Sequence, residues 1–205
     1  MRNVLLVICC AVLLGGCASM NFGDPERWVE NNTVYSSKLP SLEFKVSDEL
    51  VFAGDTEESG ISTSTTGYSN TGKTVLRYRF RDPLTTNRLL IKIGTLNAHS
   101  RWYMTRPDYS KWDGVISHGY ETIGGINFAT GIMVDNGSLM VKAYGKVVGT
   151  TTRYQIFYKE YVDRDWVGKS SDFLTRDEQD FLAAFNRRAN KSFTLSDYQS
   201  KTNRM

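Results

Sequence analysis

The chain has 205 residues, a formal charge of +3 at neutral pH, and 40% hydrophobic and 23% charged residues. These are the proportions of an ordinary globular protein, and the length suits one domain plus tethers. So small a positive charge argues against a nucleic-acid partner. The three cysteines, Cys9, Cys10 and Cys17, all lie near the N-terminus, which leaves the rest of the chain without a disulfide, a thiol nucleophile or a cysteine metal ligand.

Arg2 supplies a short positive start, Val4 to Leu14 an apolar segment, and Gly15 and Gly16 the small residues a signal peptidase groove needs. That layout reads as an export signal, and the apolar segment is too short for a membrane span of ~20 residues. An ordinary export signal has no need of a cysteine behind its small residues. The run Leu14-Gly15-Gly16-Cys17 resembles the lipobox of bacterial lipoproteins. The resemblance implies cleavage before Cys17, a diacylglycerol on its sulfur, acylation of the new amine, and stable anchoring by several acyl chains. Ala18 follows where an Asp is associated with retention at the inner membrane. The chain in this respect resembles outer-membrane lipoproteins that face the periplasm. The expected organisation is a signal peptide over 1–16, a lipidated tether over 17–40, one domain over 41–195 and a polar tail over 196–205.

Turn formers such as Asn21, Gly23, Pro25, Asn31, Asn32 and Pro40 mark the tether, interrupted by Trp28 and Tyr35. Leu42, Phe44 and Val46 alternate with Glu43 and Lys45, the period of a half-buried strand. Glu57 to Asn70 reads as a polar loop. A second strand is expected from Val75 to Phe80, with Leu76, Tyr78 and Phe80 on one face and Arg77, Arg79 and Arg81 on the other. Leu89, Ile91 and Ile93 resume the alternation, with Lys92 facing away. Residues 98–118 lose the period and read as a short helix or an ordered loop. Further strands run through Ile123, Ile126, Phe128 and Ile132 around Gly124-Gly125, and through Leu139, Val141 and Ala143 after Asp135-Asn136-Gly137. Asn-Gly between alternating apolar runs is a strong hairpin signal, because both residues accept positive φ. A last strand holds Tyr154, Ile156 and Tyr158. Thr175 and Glu178 form a capping box for a helix whose apolar stripe is Phe181, Leu182, Phe185 and Ala189.

The fold expected from these elements is α+β: a mainly antiparallel sheet with a C-terminal amphipathic helix packed on it. This order of elements behind a lipobox resembles the PsbP-like α/β/α sandwich, in particular DcrB-like envelope lipoproteins, although the long polar loop at 57–74 departs from that pattern. The resemblance implies a binding or assembly role and carries no functional residue over.

No motif in the chain argues strongly for catalysis. Gly67 to Thr74 fits a phosphate-loop pattern, but its flanks read as loop before and strand after, where cradling phosphate needs a buried strand before and a helix after. No nucleotide is expected. His99 and His118 are the only histidines, too few for a metal site without carboxylates at ligand spacing, and Asp163-Arg164-Asp165 reads as a solvated turn. No catalytic residue, metal or cofactor is assigned. The best candidate surface is the aromatic and basic stretch Arg101, Trp102, Tyr103, Arg106, Tyr109 and Trp112, since Trp, Tyr and Arg most often anchor interfaces. Its competing reading is a cover over one end of the core. The stripe Arg77, Arg79, Arg81 and Lys92 is a second candidate surface. The expected function is a non-catalytic binding or scaffolding module on the outer membrane, with an envelope protein or glycolipid as partner. The alternatives are a component of a secretion or pilus machine and an envelope hydrolase with a histidine base.

Overall fold

The computed structural model describes residues 26–38, 41–63, 70–97, 101–102, 106–162 and 166–198. Eleven strands and one α-helix are assigned there: β1 (Arg27–Glu30), β2 (Thr33–Ser36), β3 (Leu42–Val46), β4 (Val51–Thr63), β5 (Asn70–Arg81), β6 (Arg88–Leu96), β7 (Val115–Ile123), β8 (Ile126–Asp135), β9 (Leu139–Val148), β10 (Thr152–Tyr161), α1 (Arg176–Lys191) and β11 (Phe193–Asp197). The fold is α+β and the sheets are antiparallel. β4-β5-β6-β10-β9-β8-β7 form a seven-stranded sheet and β1-β2-β3-β11 a four-stranded one.

Tight turns set the register of the large sheet. Gly124 and Gly125, at φ 54° and 77°, join β7 to β8, and Asn136 and Gly137, at φ 52° and 77°, lie between β8 and β9. Both pairs have the left-handed backbone that matches the twist of a hairpin.

The inward face of the large sheet carries Phe80, Leu89, Ile91, Ile156, Tyr144 and Phe128, all essentially buried. The small sheet and α1 cover this one face. Phe44 meets Tyr154 with ring centres 5.3 Å apart, Phe193 meets Tyr144 at 5.3 Å, and Phe185 meets Tyr158 at 5.8 Å. The capping box is present: the Thr175 hydroxyl accepts from the Glu178 amide, and the Glu178 carboxylate accepts from the Thr175 amide at 2.8 Å. Phe185 and Ala189 are buried, with Phe181 and Leu182 packed beside them.

The structure corrects four boundaries. Residues 27–36, expected in the tether, form β1 and β2, joined by Asn31 and Asn32 at φ 48° and 58°. Glu57–Thr63, expected in a polar loop, are strand β4, paired residue by residue with β5. Ser196 and Asp197, expected in the tail, belong to β11, which pairs with β3. Finally, the segment expected as a short helix or loop contains one 3-10 turn, Tyr109–Lys111, among its described residues. Among the described residues α1 is the one α-helix, and it packs on the inward face of the large sheet.

Candidate functional site

The outward face of the large sheet is read from the strand register, because residues directly opposite one another share a face. Three rows cross β5, β6 and β10. They are Arg81–Arg88–Lys159, Arg79–Leu90–Phe157 and Arg77–Lys92–Gln155. Arg153 sits one step further along β10, opposite Gly94. The basic stripe seen in the sequence therefore grows from four cations to seven, by Arg88, Arg153 and Lys159. Glu58 on β4 reaches this face and pairs with Arg77 at 2.5 Å, and the Arg79 guanidinium donates to the Thr56 hydroxyl at 3.2 Å. Among the described residues, Arg81, Arg88 and Lys159 have no ion-pair partner.

The crowding is felt by Lys92. Burial lowers its pKa first, and Arg77, Lys159, Arg153 and Arg79 push it down further. Its ammonium lies 4.9 Å from the Phe157 ring centre. Burial likewise lowers Arg153, whose guanidinium stacks 4.9 Å from the Trp102 ring centre. Such cation–π contacts hold long side chains at a surface without using up their charge.

The aromatic and basic stretch lies on this same face, so the two candidate surfaces are one. Trp102 is half-buried, its indole N–H donating to the Thr151 carbonyl at 3.0 Å. Arg106 packs over the Tyr120 ring at 5.0 Å, Arg101 is exposed, and Trp112 keeps 39% of its surface exposed. Tyr109 is withdrawn from the proposed surface. It is 2% exposed and packs with Ala129, Met133, Val141, Ala143 and Phe157 in a second small core. Two glycines make room for it: a Cβ at Gly131 would come within 2.7 Å of the Tyr109 Cβ, and one at Gly145 would overlap Pro107. Burial raises its pKa, against the opposing pull of Arg153 and Gln155. Tyr109 thus covers a core, while Trp102 and Trp112 border the basic rows. Tyr103, Cys17 and His99 lie outside the described residues, as does the turn at 163–165.

Beside the basic rows, a depression of about 980 Å³ opens between Trp112, the ends of β8 and β9, and residues 167–170. Buried Met133, Val141 and Phe157 line it, as does half-buried Lys159.

A second polar cluster lies on the inward face. The Lys142 ammonium, 1% exposed, donates to Glu121 at 2.6 Å, to Asn190 at 2.6 Å and to Asn186. Burial lowers its pKa against the pull of Glu121. All three of its protons are engaged within the fold, so the cluster ties α1 to the sheet.

His118 is exposed on edge strand β7, opposite Gly131. The described residues contain no group of three or more His, Cys, Asp or Glu placed to hold a metal ion. No described helix is long and apolar enough to cross a membrane. Comparison with protein-family models, with curated proteins and with solved structures returns no match for this chain.

Sequence reasoning missed Arg153 and Lys159. Their signal was present: Arg153, Gln155, Phe157 and Lys159 alternate with Tyr154, Ile156 and Tyr158, the outward half of the period that identified the strand.

Proposed function

We propose that this protein is an envelope lipoprotein, anchored through Cys17 to the outer membrane and facing the periplasm, and that its domain is a non-catalytic binding module. The observation that carries this reading is the convergence of two features, the basic rows and the described residues of the Trp102–Trp112 stretch, on one sheet face that no described helix or second sheet covers. Arg rows with bordering aromatics suit an anionic partner, because guanidinium groups bind carboxylate or phosphate in pairs of parallel hydrogen bonds.

Two measurements test it. Cys17→Ser should release the protein from membranes or block its processing; a mature, membrane-bound Cys17→Ser protein ends the anchor reading. An in-cell photocrosslinker at position 88 should give a dominant adduct that one at position 194, on exposed Thr194 of the small sheet, does not. Equal adducts from both positions, or none from either, end the binding-face reading.

One observation favours a second reading, a component of an envelope assembly. β4 is a 13-residue edge strand with β5 as its one neighbour in the sheet, and Val51 and Ile61 on it are exposed. Such an edge can accept a strand from a partner. In that case a proline at position 57 would abolish assembly while leaving the position-88 adduct intact.

A further inference from the structure

The row Arg81–Arg88–Lys159 places three like charges directly opposite one another on neighbouring strands. Strands are ~4.8 Å apart, and opposed like charges destabilise a sheet. The fold therefore retains an electrostatic cost that its own described carboxylates do not offset. Asp82, next to Arg81, is occupied by the Leu84 amide and the Thr85 hydroxyl. Glu160, next to Lys159, points inward to Arg188 at 2.7 Å.

Lys159 is also directly opposite Val141 on β9, and Val141 is directly opposite Met133 on β8. The cation row thus runs straight into the apolar lining of the depression, with Phe157 one row away. The depression's volume, about 980 Å³, is at the upper end of the range of ~300–1,000 Å³ typical of small-molecule sites. Two exposed apolar side chains border it: Trp112, seated edge-on against Tyr109 at 4.9 Å, and Val167, 67% exposed. Exposed apolar groups gathered around a concavity mark a binding site more often than isolated ones do. Charge is unequally distributed around it. Lys159 stands on the β10 side, adjoining Arg88 and Arg81, whereas Asp113 and Asp135 stand at the β8 end. Lys169, on the same rim, is paired with Glu178 at 2.9 Å.

An apolar trough with cations at one end fits an amphiphile whose anionic group sits at that end, away from Asp113 and Asp135. We infer that this groove is a binding site for a phosphorylated lipid, its phosphate on Arg88 and Lys159 and an acyl chain along Met133, Val141 and Phe157. Arg88 can offer two parallel donors to phosphate oxygens, with Arg81 next in the row, while Lys159 supplies a compact charge at the junction with the trough. This deepens the binding-module reading and rests on it for the choice of face, but not on the lipid anchor.

The test is native mass spectrometry of the whole mature protein in a neutral detergent, titrated separately with dihexanoyl-phosphatidylglycerol, dihexanoylglycerol and inorganic phosphate. Dihexanoyl-phosphatidylglycerol should bind saturably, and the other two at least about tenfold more weakly, since each lacks one half of the recognition. The paired substitution Arg88→Gln and Lys159→Gln should weaken phosphatidylglycerol binding by about tenfold or more, the worth of a lost charge-assisted contact. Val167→Asp, at an exposed position, should weaken phosphatidylglycerol and leave inorganic phosphate unchanged. Inorganic phosphate binding as tightly as the lipid would make the ligand a soluble phosphorylated compound and overturn the proposal. Equal binding of dihexanoylglycerol, indifference to the paired substitution, or no saturable binding would also overturn it. A Cys17→Ser protein that stays on membranes would end the anchor reading and leave these titrations standing.

Discussion

At Gly145 an added Cβ would overlap the Pro107 ring and lie 2.6 Å from the Tyr109 hydroxyl. Gly131 meets Tyr109 in the same way, so two missing side chains on adjacent strands form the socket that seats the Tyr109 segment on the outward face. Gly145→Ala should therefore cost about 1–3 kcal/mol, the usual penalty for overpacking, read as a lower denaturant midpoint with an unchanged slope. A midpoint equal to wild type would mean that the segment is not seated there. These glycines sit inside strands whose sequence reads as regular, and their meaning depends on a residue more than twenty positions away, which a local pattern does not reveal. The same holds for Tyr109. Its neighbours in sequence are polar or exposed, and the period that would mark it as core is absent.

At the level of the single element, α1 was legible almost whole, because every signal for it is local. Its N-terminal cap also makes it acid-sensitive. Glu178 is held well below the usual carboxylate value of 4.5, down to about 2, first by Lys169 and then by the Thr175 amide. A carboxylate depressed on folding contributes stability that is fully present above pH 4.5 and lost as the pH falls toward 2. Circular dichroism at 222 nm should show Glu178→Gln to be less stable than wild type at neutral pH, with the difference closing across that acid window; a constant difference down to pH 2 would contradict the cap. β3, β5, β6 and β10 were equally legible, since each alternates with its more buried face inward, whereas β8 and β9 are buried on both faces and were marked by the Asn136-Gly137 turn between their apolar runs. β4 was not, because most of it is exposed and an edge strand with no buried face loses the apolar alternation. Its Thr- and Ser-rich continuation favours strand just as well as loop. β1 and β2, of four residues each, are too short for a period to show, and the alternation of Phe193 and Leu195 in β11 follows directly on the apolar stripe of α1; these strands exist because they complete the small sheet with β3.

A polar tie runs through the middle of the molecule. Lys142 joins β9 to β7 through Glu121 and to α1 through Asn186 and Asn190. Its removal and the removal of its counter-ion should have opposite consequences. Lys142→Met replaces a buried charge with an apolar chain of similar length and should leave stability unchanged or slightly raised. Glu121→Ala leaves the ammonium without its carboxylate and should cost about 3 kcal/mol. Equal losses in the two variants, measured by urea unfolding, would mean that packing rather than charge makes the tie. Arg27 supplies a second long-range link, from β1 to Thr95 at 3.3 Å. Thr95 lies near the end of β6 remote from Arg88, about 23 Å along the strand. The groove therefore lies toward the end of the large sheet remote from this link, and on the anchor and lipid readings proposed above the site of attachment and the site of binding would fall at opposite ends of the domain.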